Sequence, residues 1–171
     1  MESLKARIRH VPDFPRAGIL FYDVTPLLRD PEGFKLAIGS LTLPLTGRAI
    51  DLVVGVESRG FILGAAVADR IGAGFVPVRK PGKLPSHTIR AIYDLEYGSD
   101  SLEMHQDAIQ PGQRVLIVDD LLATGGTARA TVDLVKQLGG VVEGVSFLIE
   151  LLELNGRAKL AGENVSVVLR Y

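Results

Sequence analysis

The chain has 171 residues, no cysteine, 47% hydrophobic residues and a formal net charge of −1. That length suits one compact domain, and the missing cysteine excludes disulfides and thiolate zinc sites. The near-zero charge gives no general pull toward nucleic acid or acidic membrane, and no run reaches the roughly eighteen apolar residues of a membrane span.

The charged opening, MESLKARIRH, is not expected to be a secretory signal. Leu4, Ile8 and Val11 predict a short amphipathic opening helix. Across residues 12–31 the prolines Pro12, Pro15, Pro26 and Pro31 predict mostly ordered loop, because proline interrupts regular pairing. Asp30 before Pro31 predicts a helix start, with Asp as N-cap and Pro at the first position. Phe34, Ile38 and Leu41 share one side of that helix. Residues 52–56 are apolar without alternation, the pattern of a strand buried on both faces of a parallel sheet. A helix over about 60–71 and a short strand near 75–78 follow. The pattern repeats with a strand at 115–118, a helix over about 127–138 and a strand near 142–149. Strand, helix, strand at this spacing predicts an α/β fold: a central parallel sheet flanked by helices, joined by right-handed crossovers. Ligands then belong at the carboxyl ends of the strands.

Residues 79–107 differ from these units. Arg79-Lys80-Pro81-Gly82-Lys83-Leu84-Pro85 is basic and turn-forming. Residues 89–97 and 101–105 predict an antiparallel hairpin around Gly98, inserted as a lid. The expected organisation is a single domain over 1–171, with a hood segment at 1–30 and a flexible loop and hairpin at 79–107. His10, His87 and His105 lack metal-ligand spacing and read as surface residues.

The chemistry gathers in Val115-Leu116-Ile117-Val118-Asp119-Asp120-Leu121-Leu122-Ala123-Thr124-Gly125-Gly126-Thr127. A buried strand ends in two carboxylates, turns through glycines and enters a helix. Gly125 and Gly126 let the backbone approach a ligand. Backbone N–H groups at the helix start and the hydroxyls of Thr124 and Thr127 favour an anion. Asp119 and Asp120 are acceptors suited to a vicinal diol. An acceptor pair beside a phosphate cradle describes a ribose 5-phosphate. A plain strand-to-helix turn with two solvated acids would explain either half alone. Neither G-x-x-x-x-G-K-[ST] nor G-x-G-x-x-G occurs.

This stretch resembles the signature of the type I phosphoribosyltransferases, and Asp-Asp-Leu-Leu-Ala-Thr-Gly-Gly-Thr resembles its form in the adenine-specific members. The resemblance extends over nearly the whole chain, through Pro12-Asp13-Phe14-Pro15, residues 18–26, Glu57-Ser58-Arg59-Gly60-Phe61, the basic segment from Arg79 to Pro85, and Leu95-Glu96-Tyr97-Gly98. It implies the type I phosphoribosyltransferase fold with an N-terminal hood and hairpin lid. The implied reaction joins adenine to 5-phosphoribosyl 1-pyrophosphate (PRPP), giving AMP and pyrophosphate, in purine salvage. It also implies a cytoplasmic homodimer, with no nucleic-acid or membrane partner.

By the same resemblance, Ala123, Thr124, Gly125, Gly126 and Thr127 hold the 5-phosphate, and Asp119 and Asp120 the ribose hydroxyls. Glu57, Ser58 and Arg59 form the pyrophosphate loop, with a cis peptide between Glu57 and Ser58. Arg79 and Lys83, and less strongly Lys80, add cations for pyrophosphate, partly in a neighbouring subunit's site. Adenine stacks between Phe21 and Leu151, while backbone atoms of Leu20 and Tyr22 read its edge. Glu96 manages the purine proton, Arg59 stabilises the leaving group and Tyr97 helps close the lid. Mg²⁺ is held mainly by pyrophosphate and ribose oxygens, with no dedicated protein metal ligand, since Mg²⁺ keeps several waters. Two rivals are the same transfer to another base and a non-enzymatic sensor of the sugar phosphate. The hood and the Asp-Asp-Leu-Leu string oppose the first. The short N-terminus and non-basic charge oppose the second, which usually carries a DNA-binding module.

Overall fold

The computed structural model of the chain describes residues 1–45, 47–94 and 99–171. Its first helix, α1 (Glu2–Lys5), is shorter than the expected opening helix. Leu4 and Ile8 are buried, but Val11 lies in strand β1 (Arg9–Pro12). β1 pairs antiparallel with β2 (Leu20–Asp23), placing Val11 opposite Phe21 and Pro12 opposite Leu20. The segment expected to be loop therefore holds half of a two-stranded ribbon. Pro12 is tolerated because it closes the end of a strand paired on one side. Pro26 sits in the first turn of α2 (Thr25–Arg29), where helix N–H groups have no partner in any case. α3 (Pro31–Thr42) begins as predicted: the Asp30 carboxylate accepts from the Glu32 amide, and Ala37, Ile38 and Leu41 are buried.

The remaining elements are β3 (Leu52–Val56), α4 (Arg59–Ile71), β4 (Gly74–Val78), β5 (Thr88–Asp94), β6 (Ser99–His105), β7 (Arg114–Leu122), α5 (Gly126–Gln137), β8 (Val141–Glu150) and β9 (Val165–Arg170). Two 3-10 helices, Leu152–Leu154 and Gly156–Leu160, connect the last two strands. β7 runs further than the expected 115–118, carrying Asp119 and Asp120 within the strand because β8 pairs with it as far as Leu122. β9 was not expected; its register against β8 puts Val165, Val167 and Leu169 in the sheet.

Five parallel strands form the central sheet, in the order β4-β3-β7-β8-β9. From β3 the chain moves outward to β4, then returns to β7 and proceeds to β8 and β9 on the other side. The order reverses between β3 and β7, and a crevice opens at their carboxyl ends. Val53, Leu116 and Val118 pack with Leu63 and Val67 of α4 and with α3 on one face. Val54, Val56 and Ile117 pack with Val132 and Val135 of α5 on the other. Each such side chain, fully buried, contributes on the order of 1.5–3 kcal/mol. This double coverage explains why β3 lacks alternation.

The hairpin β5–β6 pairs Thr88 with His105 through Asp94 with Ser99, near the expected position. Leu102 and Met104 are buried in the core beside α5, so β6 anchors the hairpin despite the polar loop before it. Arg79 and Glu103 exchange backbone hydrogen bonds of 3.0 and 2.8 Å, tying the basic segment to β6. His10 and His87 are exposed as expected, while His105 is half-buried, with its Nε2 buried and without a hydrogen-bond partner. Among the described residues no helix is long and apolar enough to cross a membrane.

Candidate active site

A cavity of about 440 Å³ opens where β3 and β7 end. Its wall includes Glu57, Ser58 and Arg59 from the β3–α4 turn, and Asp119, Asp120, Ala123, Thr124, Gly125, Gly126 and Thr127 from β7 and the turn into α5. These two clusters lie about sixty residues apart in sequence. Parallel pairing of β3 with β7 brings them together.

The β7–α5 turn combines a glycine, threonine hydroxyls and a helix start. Gly125 is the N-cap of α5 at φ +80°, a conformation that costs other residues. The first residues of α5, Gly126, Thr127 and Ala128, line the cavity, and the first amides of a helix have no helical partners. Thr127 also reaches the hairpin, its hydroxyl 3.4 Å from that of Tyr93.

The two acids of β7 are not equivalent. Asp120 is 6% exposed and forms an ion pair with Arg59. Asp119 Oδ1 accepts the Asp120 amide at 2.9 Å and lies against the first turn of α4. A Cβ on Gly60 would sit 2.7 Å from that oxygen, so a side chain there would push the carboxyl away. Burial, reinforced by the neighbouring Asp120 carboxylate, pushes Asp119 well above the usual carboxylate range, against the pull of Arg59. For Arg59, burial opposes the charge, but Asp120, Asp119 and Asp23 outweigh it and raise the guanidinium above its ordinary value.

The peptide bond between Glu57 and Ser58 is cis, as the resemblance implied. The Glu57 carboxylate accepts from Arg79 Nε and Nη2 at 3.2 and 3.1 Å, and from the Lys80 amide at 3.2 Å. These contacts, Arg79 first, hold Glu57 below its ordinary range. Arg79 also donates to the Lys83 carbonyl at 3.1 Å. It thus bridges Glu57 and its own loop, and neither Arg79 nor Lys83 belongs to the cavity wall. Lys80, rated the weaker cation from sequence, does line the cavity. Its ammonium pairs with Asp100 and donates to the Tyr93 hydroxyl at 3.2 Å. Burial lowers the affinity of Lys80 for its proton, but those two partners raise it by more. Tyr93 was not singled out from the sequence, because its partners Lys80, Asp100 and Thr127 meet it only through hairpin pairing and packing on α5, and no local motif marks it.

The hood residues lie outside the cavity wall. The Phe21 ring packs edge-on against Phe14 at 5.1 Å and lies 5.9 Å from the Arg59 guanidinium. Leu20 is exposed. Tyr22 stacks with Tyr171 at 4.4 Å, and Leu151 packs in the same cluster. Glu96 and Tyr97 lie outside the described residues. Among the described residues no group of three or more His, Cys, Asp or Glu could hold a metal ion by itself; the carboxylates and hydroxyls of the wall are hard oxygens suited to Mg²⁺ carried by a substrate, beside the cations Arg59 and Lys80.

Comparison with known proteins places this geometry. Residues 37–148 match the family described as phosphoribosyl transferase domain. The adenine phosphoribosyltransferase of Acidobacterium capsulatum is 58% identical over 170 residues, covering 99% of this chain and 94% of that protein. The crystal structure of adenine phosphoribosyltransferase from Thermoanaerobacter pseudethanolicus superposes with a TM-score of 0.97 at 53% identity, covering 99% of both chains. That of the Saccharomyces cerevisiae enzyme, complexed with D-2,5-dideoxy-2,5-imino-altritol 1,6-bisphosphate and adenine, superposes with a TM-score of 0.93 at 43% identity, covering 98% of this chain and 97% of that one.

Proposed function

The chain belongs to the phosphoribosyltransferase family, among its adenine phosphoribosyltransferases, and from that premise we propose how its cavity performs the reaction. The reaction breaks the bond between C1 of PRPP and its pyrophosphate, forms a bond from adenine nitrogen to C1, and yields AMP and pyrophosphate. The observation that carries the proposal is one cavity walled by a glycine turn at a helix start, two strand-end acids and Arg59.

In this proposal Ala123 to Thr127 hold the 5-phosphate through backbone donors and hydroxyls. Asp119 and Asp120 accept from the ribose hydroxyls. Their unequal surroundings support unequal roles, with Asp120 the charged partner that Arg59 already faces. Arg59, Ser58 and the amides of the Glu57 loop take the pyrophosphate, and the guanidinium stabilises negative charge as pyrophosphate departs. Substrate oxygens rather than dedicated protein ligands would hold Mg²⁺, with Asp119 and Asp120 the nearest carboxylates of the wall, and it would supply charge neutralisation on the leaving group. Phe21 and Leu151 are the proposed platforms for adenine. Leu20 and Tyr22 are the proposed backbone readers, Glu96 the group that handles the base proton, and Tyr97 part of the closing lid. Residues 1–30 act as the hood, and 79–107 as the loop and hairpin that close over both substrates. The charged substrate and products do not cross membranes unaided, which supports a cytoplasmic site of action.

The position of Lys83, outside the wall of its own chain's cavity, supports a homodimer in which it serves the neighbour. Mixing inactive Lys83→Ala and Asp119→Asn chains then restores activity, because one site per mixed dimer is intact. Mixed dimers without recovery would refute this arrangement.

The base assignment is tested by steady-state kinetics on a panel of purines. Adenine is expected to exceed hypoxanthine in kcat/KM by at least ~100-fold, since the wrong exocyclic group leaves polar groups of the site unpaired. Equal use of both bases would overturn it.

A further inference from the structure

The connection from β8 to β9 packs against the back of the β7–α5 turn. Gly156 opens the 3-10 helix Gly156–Leu160, just after Asn155, whose φ of 49° turns the chain sharply. A Cβ on Gly156 would lie 2.1 Å from the Ala123 carbonyl oxygen and 3.0 Å from the Gly125 nitrogen. A Cβ on Gly125 would lie 2.4 Å from the Gly156 carbonyl oxygen. The two backbones touch across the peptide groups that shape the turn. The obstructing atoms are main chain, so neither side can yield as a flexible side chain would.

Arg157 fixes Gly156 in place. Its Nε and Nη2 donate to Oε1 and Oε2 of Glu150 at 2.8 and 3.2 Å, and its Nη1 donates to the Val165 carbonyl at 3.2 Å. Glu150 is 3% exposed, ends β8, and also accepts from Arg170 Nε at 3.3 Å. A buried carboxylate must keep its partners, and a forked guanidinium on both its oxygens has little freedom to turn. The far end of the 3-10 helix is pinned by Leu160, 1% exposed, in the core that also holds Leu122.

We infer that Glu150, Arg157 and Gly156 are positioning residues for PRPP: the ion pair between half-exposed Arg157 and buried Glu150 holds the Gly156 backbone against the turn and so aims its amides at the 5-phosphate. The inference rests on reading that turn as the phosphate site. Backbone donors cannot re-aim by changing rotamer, so the support behind them must hold position to about 0.5 Å. Glu150 and Arg157 contact no substrate in this arrangement; they act through Gly156.

The test titrates ribose 5-phosphate, which is PRPP without its pyrophosphate, into the full chain by calorimetry, beside steady-state kinetics. Arg157→Lys keeps a cation beside Glu150 but loses the fork and the bond to Val165. Gly156→Ala pushes directly on Ala123. Each is expected to weaken ribose 5-phosphate binding and raise the KM for PRPP about ten-fold, with kcat within ~3-fold and the KM for adenine within ~2-fold. Thr127→Val, in the turn itself, tests the underlying reading. If Thr127→Val binds ribose 5-phosphate like the wild type, the phosphate reading of the turn fails. If Thr127→Val weakens binding while Arg157→Lys does not, the brace fails and the phosphate reading stands. Equal losses toward adenine and PRPP in Arg157→Lys would also overturn it, by showing a general structural role. Should Gly156→Ala not fold, Arg157→Lys decides alone.

Discussion

Strands β3 and β7 lie side by side, and carboxylate–guanidinium pairs sit at both their ends. At the amino ends, Asp51 Oδ1 accepts Arg114 Nη2 at 2.7 Å, and Oδ2 accepts both Nε at 3.0 Å and the Arg114 amide at 2.8 Å. The Asp51 amide donates in turn to the Arg114 carbonyl at 2.8 Å. That pair is closed on itself. At the carboxyl ends, Arg59 faces Asp120 and Arg79 faces Glu57, but around a cavity of about 440 Å³. In the function proposed above, the partners are exchanged there: phosphate oxygens replace a carboxylate on a guanidinium, and the freed carboxylate accepts from a sugar hydroxyl. Until then each charge is partly compensated, which reduces the cost of holding it in a half-buried site. The same residue types close the strands at one end and, in the proposed function, meet ligand at the other. The strand order makes the difference, because the crevice opens at the carboxyl ends where the order reverses.

Removing the exchangeable cation breaks the comparison most severely. Arg59→Ala is expected to lower kcat/KM for PRPP by about 10²–10³-fold, the scale of losing one group aimed at developing charge. Its melting temperature should also fall, because Asp120, 6% exposed, loses its guanidinium partner, so activity is compared per folded molecule. A variant that unfolds while keeping its activity per folded molecule would make Arg59 a structural residue like Arg114.

The next effect in size comes from the acid. Asp120→Asn keeps shape and removes charge, so PRPP turnover should fall by roughly ten- to hundred-fold, as for a hydrogen bond to a charged group. Asp51→Asn, the matching change at the closed end, should leave kcat/KM within about 2-fold. Similar losses from both would show that the two ends are not functionally distinct.

The carboxyl end was also the more legible one. Asp119 to Thr127 are contiguous, and each residue type there suits an anion or a diol on local grounds, so the string could be read without a fold. The crossovers were legible because apolar β3 and the periodic α4 and α5 repeat one pattern. The hood was read less well. Val11 and Phe21 become neighbours only when β1 pairs with β2, across the prolines that suggested loop. Tyr93 and Lys80 share a hydrogen bond through hairpin folding, and Gly156 meets Gly125 through a connection after β8. Such contacts between distant segments leave no trace in spacing. β9 was missed for a related reason: Val165, Val167 and Leu169 form a run too short to distinguish from core-facing loop until β8 supplies its partner.

The smallest effect sharpens the comparison through pH. The Arg114 guanidinium and amide hold the Asp51 carboxyl at about 2, below its ordinary value near 3.8. A carboxyl whose pKa is depressed in the folded state adds stability above its unfolded pKa. It loses that stability as pH falls through the folded value. The contribution of this pair should therefore be complete by about pH 5, fade between about pH 4 and pH 2, and vanish below. Asp51→Asn cannot titrate there. The wild-type melting temperature should exceed that of Asp51→Asn by about 1–3 °C near neutrality, an exposed pair being worth little in a domain of this size. The gap should close as the pH approaches about 2, and high salt should narrow it at every pH. Thermal unfolding of both proteins across this range gives the comparison directly. A gap that stays constant down to pH 2 would mean that Asp51 acts through shape or through the backbone bond to Arg114. The closed pair would then not be an electrostatic lock, and the contrast with the exchangeable pairs around the cavity would rest on geometry alone.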